Sequence, residues 1–276
     1  MSMGPQATLL PGDRLHLHHG PIDLIIGVEG PERRSCFRAA TDRFQTVLQG
    51  LVSELADLRR PLIANSHFAN PIADRMGRAV QPYHDVFVTP MAAVAGAVAD
   101  EVLAAMLRHH EPPKAYVNNG GDIALHLTGR ASFAVLGPAG EITVNTGDAV
   151  RGIATSGWRG RSHSRGIADA VTVLARSAAA ADVAATLIAN AVDLPGHPGV
   201  TRKPASELSP DSDLGNRLVT TDVAALSATD VHQALQNGRR LAEQLIKADQ
   251  VLDVVISLQG QTETVQAPTL GAYTHA

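Results

Sequence analysis

The stretch Y-V-N-N-G-G-D-I-A-L-H-L, residues 116–127, holds two short runs of strand-forming residues separated by Asn-Asn-Gly-Gly-Asp. Apolar residues alternate on either side of a glycine pair, the pattern of a β-hairpin with a two-residue turn. Glycine pairs also let backbone N–H groups curve around an anion, or let a flat ligand lie against the chain. Asp122, directly behind the pair, adds a carboxylate. Taken alone, the plain turn is the simpler reading.

Working outward, strand-like runs recur at 14–28 on both sides of Gly20-Pro21, and at 133–136, 142–145, 170–174, 218–223 and 251–258. Helical spacing appears between them. Phe37, Phe44, Val47, Leu48, Leu51, Leu55 and Leu58 fall three and four apart, which predicts one amphipathic helix over 32–58, stopped by Arg59-Arg60-Pro61. A short helix is expected over 72–79. Thr89-Pro90 has the form of an N-cap with proline at the first helical position, opening an apolar helix to about 109, and Ser177 is placed to cap a second, alanine-rich helix to about 191. A further helix is expected over 229–248.

Strands mixed with a few long helices, rather than strict βαβ alternation, predict an α+β fold of mixed or antiparallel sheets. One domain is expected over residues 1–262. Residues 193–217 are rich in proline and glycine and read as a long loop or lid, and 263–276 as a flexible tail.

Composition narrows the function. With 23 basic and 27 acidic residues the net charge is −4, and one Trp, three Tyr and five Phe leave little for base stacking, so nucleic acid is not an expected partner. The single Cys36 excludes an internal disulfide. The N-terminus shows neither a basic n-region nor an apolar h-region, and the apolar run 90–107 is interrupted by Asp100 and Glu101; both point to a cytoplasmic protein with no membrane span.

Two further stretches could carry chemistry. In G-I-A-T-S-G-W-R-G-R-S-H-S-R-G, Arg159, Arg161, His163 and Arg165 stand among glycines and hydroxyls, a composition suited to an anionic ligand or to a solvated loop. Ser156 lacks the G-x-S-x-G frame of a serine hydrolase. In A-A-A-A-D-V-A-A-T-L, Asp182 and Thr186 lie four apart, so on a helix they share a face. Such a pair offers two hard oxygen ligands for Mg²⁺; equally, Asp182 could complement a helix N-terminus while Thr186 bonds back to a carbonyl. His16, His18 and His19 crowd one strand, with no third ligand in sight for zinc.

In order, A-G-A-V-A-D-E-V (95–102), Y-V-N-N-G-G-D-I-A-L (116–125), I-A-T-S-G (153–157), S-H (162–163) and A-D-V-A-A-T (181–186) resemble the ordered motifs of the ApbE-like superfamily, the magnesium-dependent flavin transferases and FAD pyrophosphatases. Those motifs run approximately K-G-Y-A-V-D, N-A-G-G-D/N, A-T-S-G, S-H-I-I-D-P and A-D-A-L-A-T. The sequence departs from them at Ala95 and Ala97, where lysine and tyrosine are usual, and in the shortened segment after His163. It looks like a short, uncharacterised branch of that superfamily, with a T-fold-related architecture.

The resemblance implies that Asp182 and Thr186 bind Mg²⁺ together with a backbone carbonyl near the start of the 90–108 helix. It further implies that Asn119, Gly120, Gly121, Asp122, Thr155, Ser156 and Asp100 border an FAD site, and that Asp182 and His163 serve catalysis. The expected reaction is FMN transfer to a protein hydroxyl, or hydrolysis of the FAD pyrophosphate. The same fold acting on another phosphorylated or heterocyclic substrate, or a non-catalytic ligand-binding protein, is the alternative. Expected partners are a nucleotide-like small molecule and an acceptor protein, and a homodimer is left open.

Overall fold

The computed structural model describes residues 4–63 and 66–266. The strands are β1 (Gln6–Leu10), β2 (Arg14–His19), β3 (Ile22–Glu29), β4 (Lys114–Asn119), β5 (Asp122–Leu127), β6 (Ser132–Gly137), β7 (Gly140–Asn145), β8 (Gly152–Ser156), β9 (Ala170–Ala175), β10 (Val200–Pro204), β11 (Leu218–Val223), β12 (Asp253–Leu258) and β13 (Gln261–Gln266). The helices are α1 (Arg33–Phe44), α2 (Val47–Ser53), α3 (Leu55–Leu58), α4 (Pro71–Val80), α5 (Val94–Leu107), α6 (Ala178–Ala191), α7 (Ala205–Leu208) and α8 (Ala228–Lys247).

Nine strands form one sheet in the order β1-β2-β3-β4-β5-β8-β9-β12-β13, and every pairing in it is antiparallel. The fold is therefore α+β, as the strand and helix patterning predicts. Two ribbons, β6–β7 and β10–β11, stand apart from the sheet. Strand alternation divides the apolar residues between two cores. Leu24, Ile26, Val117, Ala124 and Val173 face the larger core under the helices, with Val98, Val102, Ile188 and Leu235 opposite them. Ile123, Leu125, Leu127 and Ile153 face a smaller core closed by Phe133, Ile142 and Val144 of the β6–β7 ribbon.

The 116–127 hairpin forms as its sequence dictates. Asn119 pairs with Asp122, and Gly120 and Gly121 adopt φ of 66° and 119°. A two-residue turn with positive φ at both central positions suits the twist of the strands and is open to glycine at least cost. Asn118 Oδ1 accepts from the Gly121 amide at 2.8 Å, completing the turn. Glycine is thus required here by backbone geometry before any ligand is considered.

The segment 90–107 is long and apolar enough to cross a membrane by length and composition. In the fold it is a core helix: α5 packs on α6, α1, α4 and strands β4 and β5. Close approach of α5 and α6 depends on Gly96, where a Cβ would lie 2.3 Å from the Ala178 carbonyl oxygen.

Several expectations change in three dimensions. The amphipathic run 32–58 is three helices rather than one. Its breaks fall at Thr46 and Glu54, where φ is −112° and −115°, and the Glu54 carboxylate turns to accept from the Asn70 amide at 2.7 Å. Thr89 makes no cap bond; its hydroxyl donates to Asp213 and the chain enters α5 through a short 3₁₀ turn, Pro90–Ala93. Residues 193–217, expected as a loop or lid, contain β10 and α7, with β10 paired to β11. The expected tail begins inside β13, which pairs with β12 as far as Gln266; its remainder, 267–276, lies outside the described residues. Ser177 does cap α6, accepting from the Ala180 amide at 3.2 Å.

Candidate functional site

A cavity of about 860 Å³ opens between the β4–β5 turn, the end of β8 and helices α2, α3, α5 and α6. One wall is aliphatic: Leu48, Leu51, Leu55 and Leu58 from α2 and α3, with Met91 of the 3₁₀ turn and Val94 at the start of α5. The opposite side is polar, carrying Asn119, Asp122, Thr155, Ser156, Asp182 and Thr186. Arg159 and Arg161 close it from the loop after β8. No aromatic side chain lines the cavity among the described residues.

Helix packing sets the position of Asp182. It lies in the second turn of α6, and its Oδ2 accepts from the Gly96 amide at 3.0 Å, an N–H in the first turn of α5 that has no partner inside its own helix. The relation is mutual. Asp100 on α5 accepts from the amides of Ala178 at 3.1 Å and Ala179 at 3.0 Å, in the first turn of α6. Each helix therefore supplies the carboxylate that caps the other, and each acid lies four residues beyond the amide that defines the relation. The two acids differ in surroundings: Asp182 faces the cavity, whereas Asp100 does not line it.

The acids are electrostatically poised. Burial pushes the Asp182 carboxyl well above the usual carboxylate range; the Asp122 charge raises it further, the Gly96 and Ala95 amides oppose this, and Asp100 adds to it. Burial raises Asp122 to about 7, against the opposing hydrogen bond from the Thr155 amide at 3.4 Å. Among the described residues neither acid is paired with a basic side chain. Two half-buried carboxylates that repel one another without a compensating cation favour either protons or a bound metal.

The donor set fits Mg²⁺. Asp182, Asp122 and the Thr186 hydroxyl are hard oxygens on one cavity wall, and Thr186 makes no side-chain hydrogen bond with any described residue, so the alternative of back-bonding to a carbonyl is not realised. No group of three or more His, Cys, Asp or Glu side chains stands at metal-binding spacing among the described residues. Such a sparse protein set suits Mg²⁺, which keeps waters and substrate phosphates, better than zinc. The Ala95 carbonyl, at the start of α5, accepts from Asn119 Nδ2 at 3.0 Å.

The fold gathers Asn119, Gly120, Asp122, Thr155, Ser156, Asp182 and Thr186 around this cavity, and separates Gly121, Asp100 and His163 from it. Gly121 faces open space, and Asp100 is committed to the α6 N-terminus. The His163 ring is turned to Ser209, its Nε2 3.0 Å from the hydroxyl, and does not line the cavity. Of the two alanines that replace larger residues, Ala95 lines the cavity, but Ala97 is fully buried in the core. His16 pairs with Asp23 at 2.9 Å, away from any metal cluster.

The aliphatic wall was not legible as a site. Its leucines sit at the spacing of any core-facing helix, and only the breaks at Thr46 and Glu54 turn part of that face toward the cavity. The division among the arginines is equally tertiary. Arg159 is bound to Asp169 at 3.0 Å and lies over the Trp158 ring at 4.5 Å, Arg165 does not line the cavity, and Arg161 does.

Comparison with known proteins identifies the family. Curated relatives include a UPF0280 protein of Methanopyrus kandleri, 38% identical over 44% of this chain and 49% of that protein. A UPF0280 protein of Methanothrix thermoacetophila is 39% identical over 45% of this chain and 53% of its own length. The chain thus spans about half the length of the curated relatives it matches. Among solved structures, a variant of the flavin transferase ApbE from Vibrio cholerae superposes with a TM-score of 0.50 at 13% identity, covering 94% of this chain and 98% of that one, a likeness of fold. The family model described as "AbpE bacteria" matches residues 6–264, nearly the whole described chain, and the protein belongs to that ApbE-like family.

Proposed function

We propose that the protein is a Mg²⁺-dependent enzyme acting on FAD at the cavity between β5, β8, α5 and α6. The observation that carries this reading is the meeting of Asp122, Asp182 and Thr186 at one end of a cavity whose other wall is aliphatic. The first end suits a metal-bound pyrophosphate, and the second an uncharged heterocycle. A bound Mg²⁺ would neutralise charge on the transferring phosphoryl group.

The chain's own residues supply the rest. Asp182 and Thr186 would hold the ion, with Asp182 fixed by the Gly96 amide so that little reorganisation accompanies binding. Asp122, held by the Thr155 amide, borders the same corner and is placed to take a proton from the attacking hydroxyl. Gly120 and Ser156 line the same cavity and would border the ligand. Two products are chemically balanced: water attacks to give FMN and AMP, or a protein hydroxyl attacks to give an FMN ester and AMP. An acceptor protein belongs to the second route.

A second reading keeps the metal corner and changes the ligand body. Ala95 on the cavity wall and the absence of lining aromatic rings among the described residues favour a phosphorylated substrate that fits an aliphatic surface. Incubation of the protein with FAD and Mg²⁺, followed by chromatography for FMN and AMP and mass spectrometry of added protein, tests the first reading. Mg²⁺-dependent AMP release that disappears in Asp182→Ala supports it. Wild-type protein that neither binds FAD nor releases AMP sinks it, and a co-purified phosphorylated molecule would then identify the substrate of the second.

A further inference from the structure

We infer that Arg161 anchors an anionic phosphate oxygen of the ligand and so determines specificity for phosphorylated over unphosphorylated molecules. This deepens the proposed function and rests on its assignment of the cavity as the ligand site. Arg161 lines the cavity beside the β4–β5 turn, where its Nη1 lies 3.3 Å from the position a Cβ on Gly120 would occupy. Glycine leaves the guanidinium room to rest against the turn.

Charge placement is the main argument. Asp122, Asp182 and Arg161 line one cavity, yet neither acid forms an ion pair with the arginine, whose side chain makes no hydrogen bond with any described residue. In a shared cavity, opposite charges held apart are complementary to a ligand that is itself a charge pair: a cation on the acids and a phosphate between that cation and the guanidinium. The planar fork of arginine matches phosphate oxygens two at a time. The other cations are less suitable. Arg159 is neutralised by Asp169 and stacked on Trp158. Arg59 also lines the cavity but sits at the end of α3 on the aliphatic side.

Equilibrium binding of FAD, ADP and riboflavin in the presence of Mg²⁺ tests the assignment on the full chain. Arg161→Ala is expected to weaken FAD and ADP by about 10- to 100-fold while leaving riboflavin within about twofold, because only the phosphorylated ligands use a charge-assisted bond there. Arg161→Lys should restore part of the loss, and the salt dependence of ADP binding should become shallower in Arg161→Ala. Arg165→Ala, outside the cavity, should match wild type. The inference is overturned if Arg161→Ala binds FAD and ADP as wild type does, if riboflavin is weakened equally, or if wild type binds neither anion. Arg161-dependent binding of ADP with no added affinity from the flavin half would support the anchor and overturn the flavin reading instead.

Discussion

The Gly96 amide and the Asp182 carboxylate are joined at 3.0 Å across the α5–α6 contact, so the acid proposed to hold a metal is also part of the helix packing. Position 96 admits no side chain: a Cβ there would lie 2.3 Å from the Ala178 carbonyl oxygen and 2.7 Å from the Ala179 amide nitrogen, both backbone atoms. Gly96→Ala should therefore destabilise by about 3 kcal/mol through forced separation of the helices. Chemical denaturation measures it, and an unchanged midpoint would contradict the close packing.

Asp100 and Asp182 have matching cap roles but different exposure to the cavity, so their substitutions should separate structure from binding. Asp100→Ala removes the acceptor for two α6 amides and is expected to cost about 1–2 kcal/mol in stability. Asp182→Ala should in addition abolish the stabilisation by Mg²⁺ seen as a rise in melting temperature, since only a native-state ligand produces that rise. Equal Mg²⁺ stabilisation in wild type and Asp182→Ala would remove Asp182 from the ion site.

A pH dependence follows from Asp122. Its folded-state value of about 7 lies above the ordinary 3.8, so the folded protein holds this proton more tightly than the unfolded chain does. The associated stability is fully present below about pH 4 and is lost as pH rises through 7. Without divalent cations, Asp122→Asn should flatten this fall and be more stable than wild type at pH 8 by on the order of 2 kcal/mol. Thermal melts from pH 5 to 8 give the comparison, and a variant that parallels wild type across that range would refute it.

Glu101 is buried between Arg43, at 2.9 Å, and Arg75, at 3.3 Å. Glu101→Gln leaves two guanidinium groups near one neutral amide and should cost about 3 kcal/mol, with no direct effect on the cavity. The same denaturation measurement, together with retained FAD binding at low temperature, checks both halves of this expectation.

His163→Ala should leave turnover within a few-fold of wild type, because the ring is held by Ser209 rather than directed at the ligand. Loss of AMP release in a folded His163→Ala protein would restore the histidine to the chemistry.

Local signals carried much of the fold. The turn at 120–121, the Ser177 cap and the strand at 218–223 are each set by residues adjacent in sequence, and they form as that chemistry requires. That Asp182 and Thr186 share one face of α6 was legible because a fixed helical period places them together. What the sequence concealed depends on partners far along the chain. Asp100 reads as a ligand-side acid until Ala178 and Ala179 are brought to it, and Thr89 reads as a helix cap until Asp213 takes its hydroxyl. The leucines of 48–58 have the periodicity of any core-facing helix, and no local pattern distinguishes that from the cavity wall they form.

The nine-stranded sheet changes from early to late sequence at β5 and β8, where the paired register is only Ile123 with Ile153 and Ala124 with Gly152. Asn119, Gly120 and Asp122 come from one side of that seam, and Thr155, Ser156, Asp182 and Thr186 from the other. Any occupant of the cavity would therefore rivet the early and late parts of the sheet, whose strands share only a short border there while α5 and α6 pack together above it. Saturation should slow amide hydrogen exchange along β5 and β8 even at residues it does not touch.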